Sequence, residues 1–446
     1  AAVDGAAADG TAVLAALDRL VARSLIAPVR GSARGRFRML ATVRAAARQR
    51  AVAAGRRERF GDAHARYVAR LAAGGAGPTG ALRVERDGRL AVPRALHPDD
   101  GRECREAVLW AIGRGDDDIA LAILDSLSVV LYRLGLPPQV GAWLERLSTD
   151  DGGAERAAVA ADLRSTRAFF SGDYEGIDRW SPVALDAVRS LDDPHRLCRA
   201  LVISALSHIF AGRDEAANEA IGEAAAASAG LEDDWLDAWV AAAEGFLARR
   251  SGDFERSRRC CEAALETFVD LDDRLGMVLP TLTLGRLAER AGRPEDGLAL
   301  IDQATAVAES VEDGLLAATG HLYAGQIHYG SGQPREAINR LISALYSGRI
   351  SPHRIVMSSA LEHLAGVLAA FGRASEAARI VGFTTAYRRS GPQAPAPREL
   401  GYLPGLRDAL GERAFERQRR LGARLDLDAA IALAVGALGD LDELFG

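Results

Sequence analysis

The chain contains no lysine: all 55 basic residues among its 446 are arginine. Two chemistries that need a lysine amine are thereby excluded within these residues, the reach of a P-loop to the β- and γ-phosphates and the formation of a Schiff base. A GC-rich coding sequence accounts for the bias, and its chemical consequence stands regardless. Cysteine is scarce. Cys104, Cys198, Cys260 and Cys261 never take a CxxC spacing, so neither a disulfide framework nor a zinc site is expected, and the cytoplasm is the expected compartment. Aromatic residues make up only 6%. No apolar run reaches the length of a membrane span, and no apolar signal segment opens the sequence.

Catalytic patterns are missing as well. There is no GxxxxGK[ST], no recognisable acidic Walker-B strand, no nucleophile elbow and no triad, so no enzyme is expected, and no catalytic, cofactor or metal residue is assigned. His321 and His328 lie seven apart on one predicted helix with Tyr329 beside the second, but zinc-binding helices place histidines four apart. The adjacent Cys260 and Cys261 point about 100° apart on a helix and form no chelate.

What the sequence does have is a ruler. Gly172, Gly212, Gly252, Gly292, Gly332 and Gly372 follow one another at forty-residue intervals, the mark of one supersecondary unit copied along the chain. Each glycine suits the left-handed close of one helix, and the Asp, Pro and Glu residues after it suit the first turn of the next. The same macrodipole explains Asp233, Asp234, Asp272 and Asp273 at expected helix starts.

Small residues keep the register. Ser165, Ala205, Gly245, Gly285, Gly325 and Ala365 stand seven before the glycines. Ile177, Ala217, Ser257, Gly297, Ala337 and Ala377 stand five after, and Ala184, Ala224, Ala264, Ala304, Ala344 and Thr384 twelve after. Side chains of this size let helix backbones cross closely. His208 and His328 share the column four before the glycine, which points to a structural role.

This pattern looks like the tetratricopeptide (TPR) repeat, whose usual unit is about 34 residues. The additional residues must lengthen the helices or the connections near Leu191–Pro194 and Leu231–Asp234. The expected fold is all-α, a TPR-like superhelix of forty-residue units.

Charge divides the chain. Residues 1–73 carry 14 arginines against 5 acids, a balance of +9, while the remainder carries 41 against 56, a balance of −15. A basic module precedes an acidic array. Contact with nucleic acid or with an acidic domain is one reading, and a solvated arginine face the other. Leu14 to Leu25 has helical periodicity, with extended candidates at Ile26–Val29 and Arg36–Leu40 around the turn 31–35. Helical runs follow at Thr42–Ala54 and Arg57–Ala73. Helix, strand, glycine turn and strand make the end of a winged helix.

Those residues carry a family resemblance. LDRLVARSLIAPV, GRFRMLATVRAAARQRAVAAG and RRERFGDAHARYVARLA resemble the winged-helix segment that follows the ATPase core in large actinobacterial regulators of the LuxR and AfsR/SARP kinds, which are STAND-type signal-transduction ATPases. Arg105–Ile112, Arg114–Leu121 and Trp143–Leu147 are similar to the first helices of that family's repeat array, and Leu410–Phe415 and Leu425–Leu433 to its closing helices.

The resemblance implies the sensor and signal-transmission region of a transcriptional regulator, a piece of a longer protein whose ATPase and output lie upstream. Its implied partners are its own ATPase domain, an inducer or protein, and DNA through the full-length regulator, with a homo-oligomer open. ATP is expected only at the upstream domain, and no membrane contact is expected. A stand-alone TPR interaction scaffold is the alternative.

The expected organisation is a partial winged helix with following helices at 1–73, a linker at 74–98 and lead-in helices at 99–150. Repeats follow at 151–390, then a linker with closing helices at 391–446. The first helix of each pair lines the groove of such a solenoid. TPR geometry turns offsets of minus thirteen, ten, six, three and two inward, which selects Trp239, Phe246, Arg249, Arg286, Glu289, Gln326 and Tyr329 as groove residues. Aromatic walls with guanidinium and amide groups suit a peptide, a carboxylate-bearing metabolite or a sugar. The plain alternative is an Arg249–Glu289 ion pair between repeats, with Trp239 and Phe246 as ordinary core.

Overall fold

The computed structural model describes residues 10–28, 37–75, 98–133, 138–147, 153–171, 173–191, 193–271, 273–310, 313–349, 353–388 and 400–439. Gly172, the turn at 31–35, most of the 74–98 connection, the segment 391–399 and the last residues lie outside them.

The N-terminal unit runs α1 (Gly10–Ala22), β1 (Ile26–Pro28), β2 (Phe37–Met39) and α2 (Ala41–Ala53). β1 and β2 pair antiparallel with Ile26 opposite Met39, giving the wing expected from the sequence. α3 (Arg57–Gly75) then packs on the helical hairpin of α4 (Pro98–Arg114) and α5 (Asp117–Arg133). Gly61 on α3 leaves room for the Trp110 ring, and the Trp110 indole donates to Asp62 at 2.9 Å. The basic α2 also meets the acidic α4: Arg44 lies 3.5 Å from Glu103, and Arg48 pairs with Glu106. Two of the N-terminal arginines are thus paired with carboxylates of α4 within the chain itself. The short α6 (Pro138–Arg146) leads to the repeats, and buried Arg164 fixes it by donating to the carbonyls of Leu144 at 2.7 Å and Leu147 at 2.5 Å.

Among the described residues six helix pairs follow. The first helices are α7 (Gly153–Ser171), α9 (Pro194–Ala211), α11 (Asp234–Ser251), α13 (Val278–Arg290), α15 (Gly314–Gly330) and α17 (Arg354–Ala370). The second helices are α8 (Tyr174–Arg189), α10 (Asp214–Ser228), α12 (Phe254–Asp270), α14 (Pro294–Ser310), α16 (Pro334–Ser347) and α18 (Ala374–Arg388). Each first helix packs on its own second helix and also touches the first helix of the next pair, which puts the first helices on the inside of the curve. The additional length of the unit sits in the helices: α9 and α10 take 18 and 15 residues.

The ruler glycines do what their spacing requires. Gly212, Gly252, Gly292, Gly332 and Gly372 have φ between 71° and 87°, in the left-handed region. The columns before and after them meet within each pair. A Cβ on Gly285 would stand 2.9 Å from the Gly297 carbonyl oxygen, one on Gly245 2.6 Å from Cys261 Sγ, and one on Gly325 2.8 Å from Leu341. Ala224, Ala264, Ala304 and Ala344 of the third column are all buried.

One further column keeps the period. Asp193, Asp233 and Asp313 cap α9, α11 and α15 by accepting the backbone N–H three residues on. Asp273 accepts from Leu275 and Gly276 in the same way and takes the Trp235 indole N–H at 2.8 Å. At the sixth position the N-cap of α17 is His353. Its ring packs edge to face on Phe169 of α7 at 6.4 Å, while Ile355 covers Ala168 and Ile177. The sixth pair has thus come round to touch the first, and the array makes one tight turn.

Three helices close the molecule: α19 (Leu403–Leu410), α20 (Glu412–Gly422) and α21 (Leu427–Gly439). α20 crosses α18 at backbone contact, with Gly382 against the Arg419 carbonyl and Gly422 against the Arg379 carbonyl. Among the described residues no helix is long and apolar enough to cross a membrane.

Candidate ligand groove

The inner wall is built from α11, α13 and α15; Asp233 and Asp313 cap α11 and α15, and Asp273 fixes the turn that leads into α13. Phe246 and Arg249 sit one turn apart on α11, Arg286 and Glu289 one turn apart on α13, and Tyr323, Gln326 and Tyr329 at successive turns of α15. Tight curvature makes the three helices converge. The Arg249 guanidinium lies 5.0 Å from the centre of the Phe246 ring and 5.9 Å from that of Tyr323, two inner helices away. Arg286 approaches the same tyrosine at 5.4 Å and Glu289 at 3.5 Å. Cation–π contacts of this kind contribute about 0.5 to 2 kcal/mol, the larger values where water is excluded.

The alternative inter-repeat pair of Arg249 with Glu289 is not the one formed, because Glu289 turns to Arg286 on its own helix. Arg249 makes no hydrogen bond and no ion pair with any described residue, and its Nε is buried without a partner. Two guanidiniums and one carboxylate leave a positive balance here, inside an array whose overall balance is acidic.

Of the seven residues selected from the sequence, Phe246, Arg249, Arg286 and Glu289 come together, with Gln326 half-buried at the next turn. Trp239 does not join them. It is 5% exposed and packs edge to face on Trp235 at 6.0 Å and Phe268 at 5.3 Å. It lines a cavity of about 20 Å³ with Arg199, Val202, Ile203, Leu206 and Trp235, room for about one water. Tyr323, which the TPR offsets omit, is the centre of the cluster. It stands nine before its glycine, and the tight curl of the array turns that column inward.

Tyr329 lies further along and is exposed. Its hydroxyl is 3.6 Å from the point a Cβ on Gly366 would occupy, and the Tyr402 ring is 3.1 Å from the same point. Tyr402 donates to the Glu362 carbonyl at 2.7 Å, so the chain entering α19 closes this end of the groove. Behind it Arg388 holds Glu362 at 2.9 Å and Ser359 at 3.0 Å.

At the other end lies a buried charge network. Arg196 reaches Asp125 of α5 at 2.8 Å, and Arg199 binds Asp125 and Asp162 at 3.1 Å each. Burial pushes the Asp162 carboxyl up from its ordinary value, and Arg199 opposes it. This network joins the lead-in helices to the array.

The histidines of the shared column clasp their turns. His208 Nδ1 accepts from Arg213 Nε at 3.0 Å, and His328 Nδ1 meets the Gln333 amide oxygen at 2.6 Å. Burial pushes the Cys260 thiol up to about 11 and that of Cys261 to about 12, which leaves both unreactive as nucleophiles.

Residues 2–51 match the family described as a winged helix-turn-helix domain. No curated protein matches the chain. Among solved structures it is similar to a Signal Transduction ATPase with Numerous Domains (STAND) protein with a tetratricopeptide repeat sensor from Pyrococcus horikoshii, at 15% identity and a TM-score of 0.44. That alignment covers 96% of this chain and 60% of the other, so the chain spans less than two thirds of that protein's length.

Proposed function

We propose that the chain is the sensor and signal-transmission region of a STAND-type transcriptional regulator. In this reading the groove around Tyr323 binds an inducer or protein partner. The array then passes its occupancy to the winged helix, and from there to an ATPase and a DNA-binding output in the full-length regulator. The observation that carries it is the unbroken contact between the two modules. Arg44 and Arg48 grip α4, α3 is keyed to α4 by Gly61 and Trp110, and Asp125 of the α4–α5 hairpin is held by Arg196 and Arg199 of the array. A free-standing scaffold has no need to join a winged helix to its repeats in this way.

Exposed Leu14, Phe37, Leu40 and Val52 give the winged-helix unit an apolar surface that suits a further protein domain, the ATPase of this reading. The experiment is an ATPase assay on the full-length regulator with its inducer, comparing wild type with Tyr323→Ala. The variant should keep basal ATP turnover and lose the response to inducer. An undiminished response would remove the groove from sensing.

A further inference from the structure

We infer that Arg249 holds the carboxylate of a monoanionic small molecule in the groove. The inference rests on the sensor reading of that groove and names the class of its ligand.

Arginine brings five N–H donors on a planar group that stays charged. Here the group is fixed by the rings of Phe246 and Tyr323, yet no described residue supplies an acceptor to any of its donors. Several half-buried arginines elsewhere in the array have carboxylates, as Arg213 pairs with Asp178, Arg340 with Asp302 at 2.7 Å, and Arg373 with Glu376 at 3.0 Å, while Arg379 donates to the Gln418 amide oxygen. A pre-positioned guanidinium without a counter-charge matches a planar bidentate acceptor, and its rotameric freedom has already been given up.

Charge sets the valence of the ligand. Among the described residues Glu289 faces Arg286 at 3.5 Å and no carboxylate pairs with Arg249, so the Arg249 charge is one that a monoanion balances and a phosphate dianion exceeds. Shape sets the size. Tyr402 closes one end, and the sixth repeat returns to the first, so the space is the inside of a single turn and no long channel for an extended chain. Tyr323, half-buried, supplies apolar area for the body of the ligand, Phe246 at 4% exposure backs the Arg249 guanidinium from the core, and the Gln326 amide lies within one turn of the Tyr323 ring.

The test is isothermal titration calorimetry on the purified chain with benzoate, its neutral counterpart benzamide and inorganic phosphate. Arg249→Gln and Tyr323→Ala are compared with wild type, with Arg290→Gln, stacked on Phe254 at 4.1 Å, as the control. Thermal unfolding of each variant verifies that it is folded. Benzoate should bind wild type and Arg290→Gln alike, with benzamide and phosphate weaker. Arg249→Gln should weaken benzoate by about tenfold or more, the loss expected of a charge-assisted hydrogen bond. Equal binding of benzamide, tighter binding of phosphate, or benzoate binding unchanged in Arg249→Gln would overturn the inference. If benzamide alone binds and Tyr323→Ala abolishes it, the groove remains a ligand site and only the carboxylate assignment fails. If neither organic probe binds wild type, the carboxylate inference falls and the ligand-binding role of the groove falls with it.

Discussion

Gly325 shows how little room the repeat leaves at its crossings. A β-branched side chain there would meet Leu341 and the Ala337 carbonyl at once, and the carbonyl belongs to a helix that cannot retreat without losing its own contacts. Gly325→Val should therefore destabilise the fold by about 1 to 3 kcal/mol, seen as a lower urea midpoint. Arg199 is a second residue with no slack. Replacing it by Met leaves Asp125 and Asp162 buried with one guanidinium between them, and loss of one partner from such a network costs about 3 to 5 kcal/mol. Denaturant unfolding of Arg199→Met measures it, and a loss below about 1 kcal/mol would contradict the network's structural role. The arithmetic of columns made the Gly325 crossing readable from the sequence. Arg199 was not readable, because one of its partners, Asp125, comes from α5 outside the repeat register.

At the scale of elements, the helix pairs and the turn glycines were legible because local chemistry recurs at a fixed interval, and the wing because two short extended runs follow an amphipathic helix. The groove was only partly so. Offsets borrowed from the usual TPR unit selected Phe246, Arg249, Arg286 and Glu289 but also Trp239, which the lengthened α11 buries against Phe268, and they omitted Tyr323, which the tighter curl exposes to the groove. The closing helices hide a comparable feature. Gly382 and Gly422 let α18 and α20 touch backbone to backbone, yet neither belongs to a repeated column. Gly422→Leu should detach α20 and α21 from α18. Amide exchange in residues 412–439 should then rise while the repeats before α17 keep their protection; protection unchanged at 412–439 would disprove that account of the crossing.

For the whole molecule the decisive contact is the one between the first and sixth repeat pairs. His353 replaces the capping aspartate where the sixth pair meets Phe169, and burial holds its imidazole down at about 4. His208 is also held at about 4 by burial, with Arg213 adding to the effect and Asp178 opposing it. The unfolded chain takes up a proton on each ring as pH falls through the ordinary 6.5, while the folded chain resists until about 4. The unfolded state thus binds protons first, and stability falls with pH across that window, by about 2 kcal/mol per ring by pH 5. Urea unfolding at pH 7.5 and pH 5 should show the loss, and His353→Asn, which can cap but not titrate, should make it smaller by about 2 kcal/mol. An identical drop in wild type and variant would mean that His353 is not held neutral in the seam.

Opening that seam should loosen the single turn. Ile355→Asp places a charge against Ala168 and Ile177 and is expected to enlarge the radius of gyration in small-angle scattering without loss of helix content. An unchanged radius would mean that this contact does not hold the turn shut.

The central claim is that occupancy of the groove reaches the winged helix through α3, α4 and α5. Amide hydrogen exchange on the intact chain, with and without benzoate, tests it most directly. The account predicts altered protection in α11 to α15 and also in residues 57–75 and 98–133, with both changes absent in Arg249→Gln. Protection confined to α11 to α15 in wild type would contradict it.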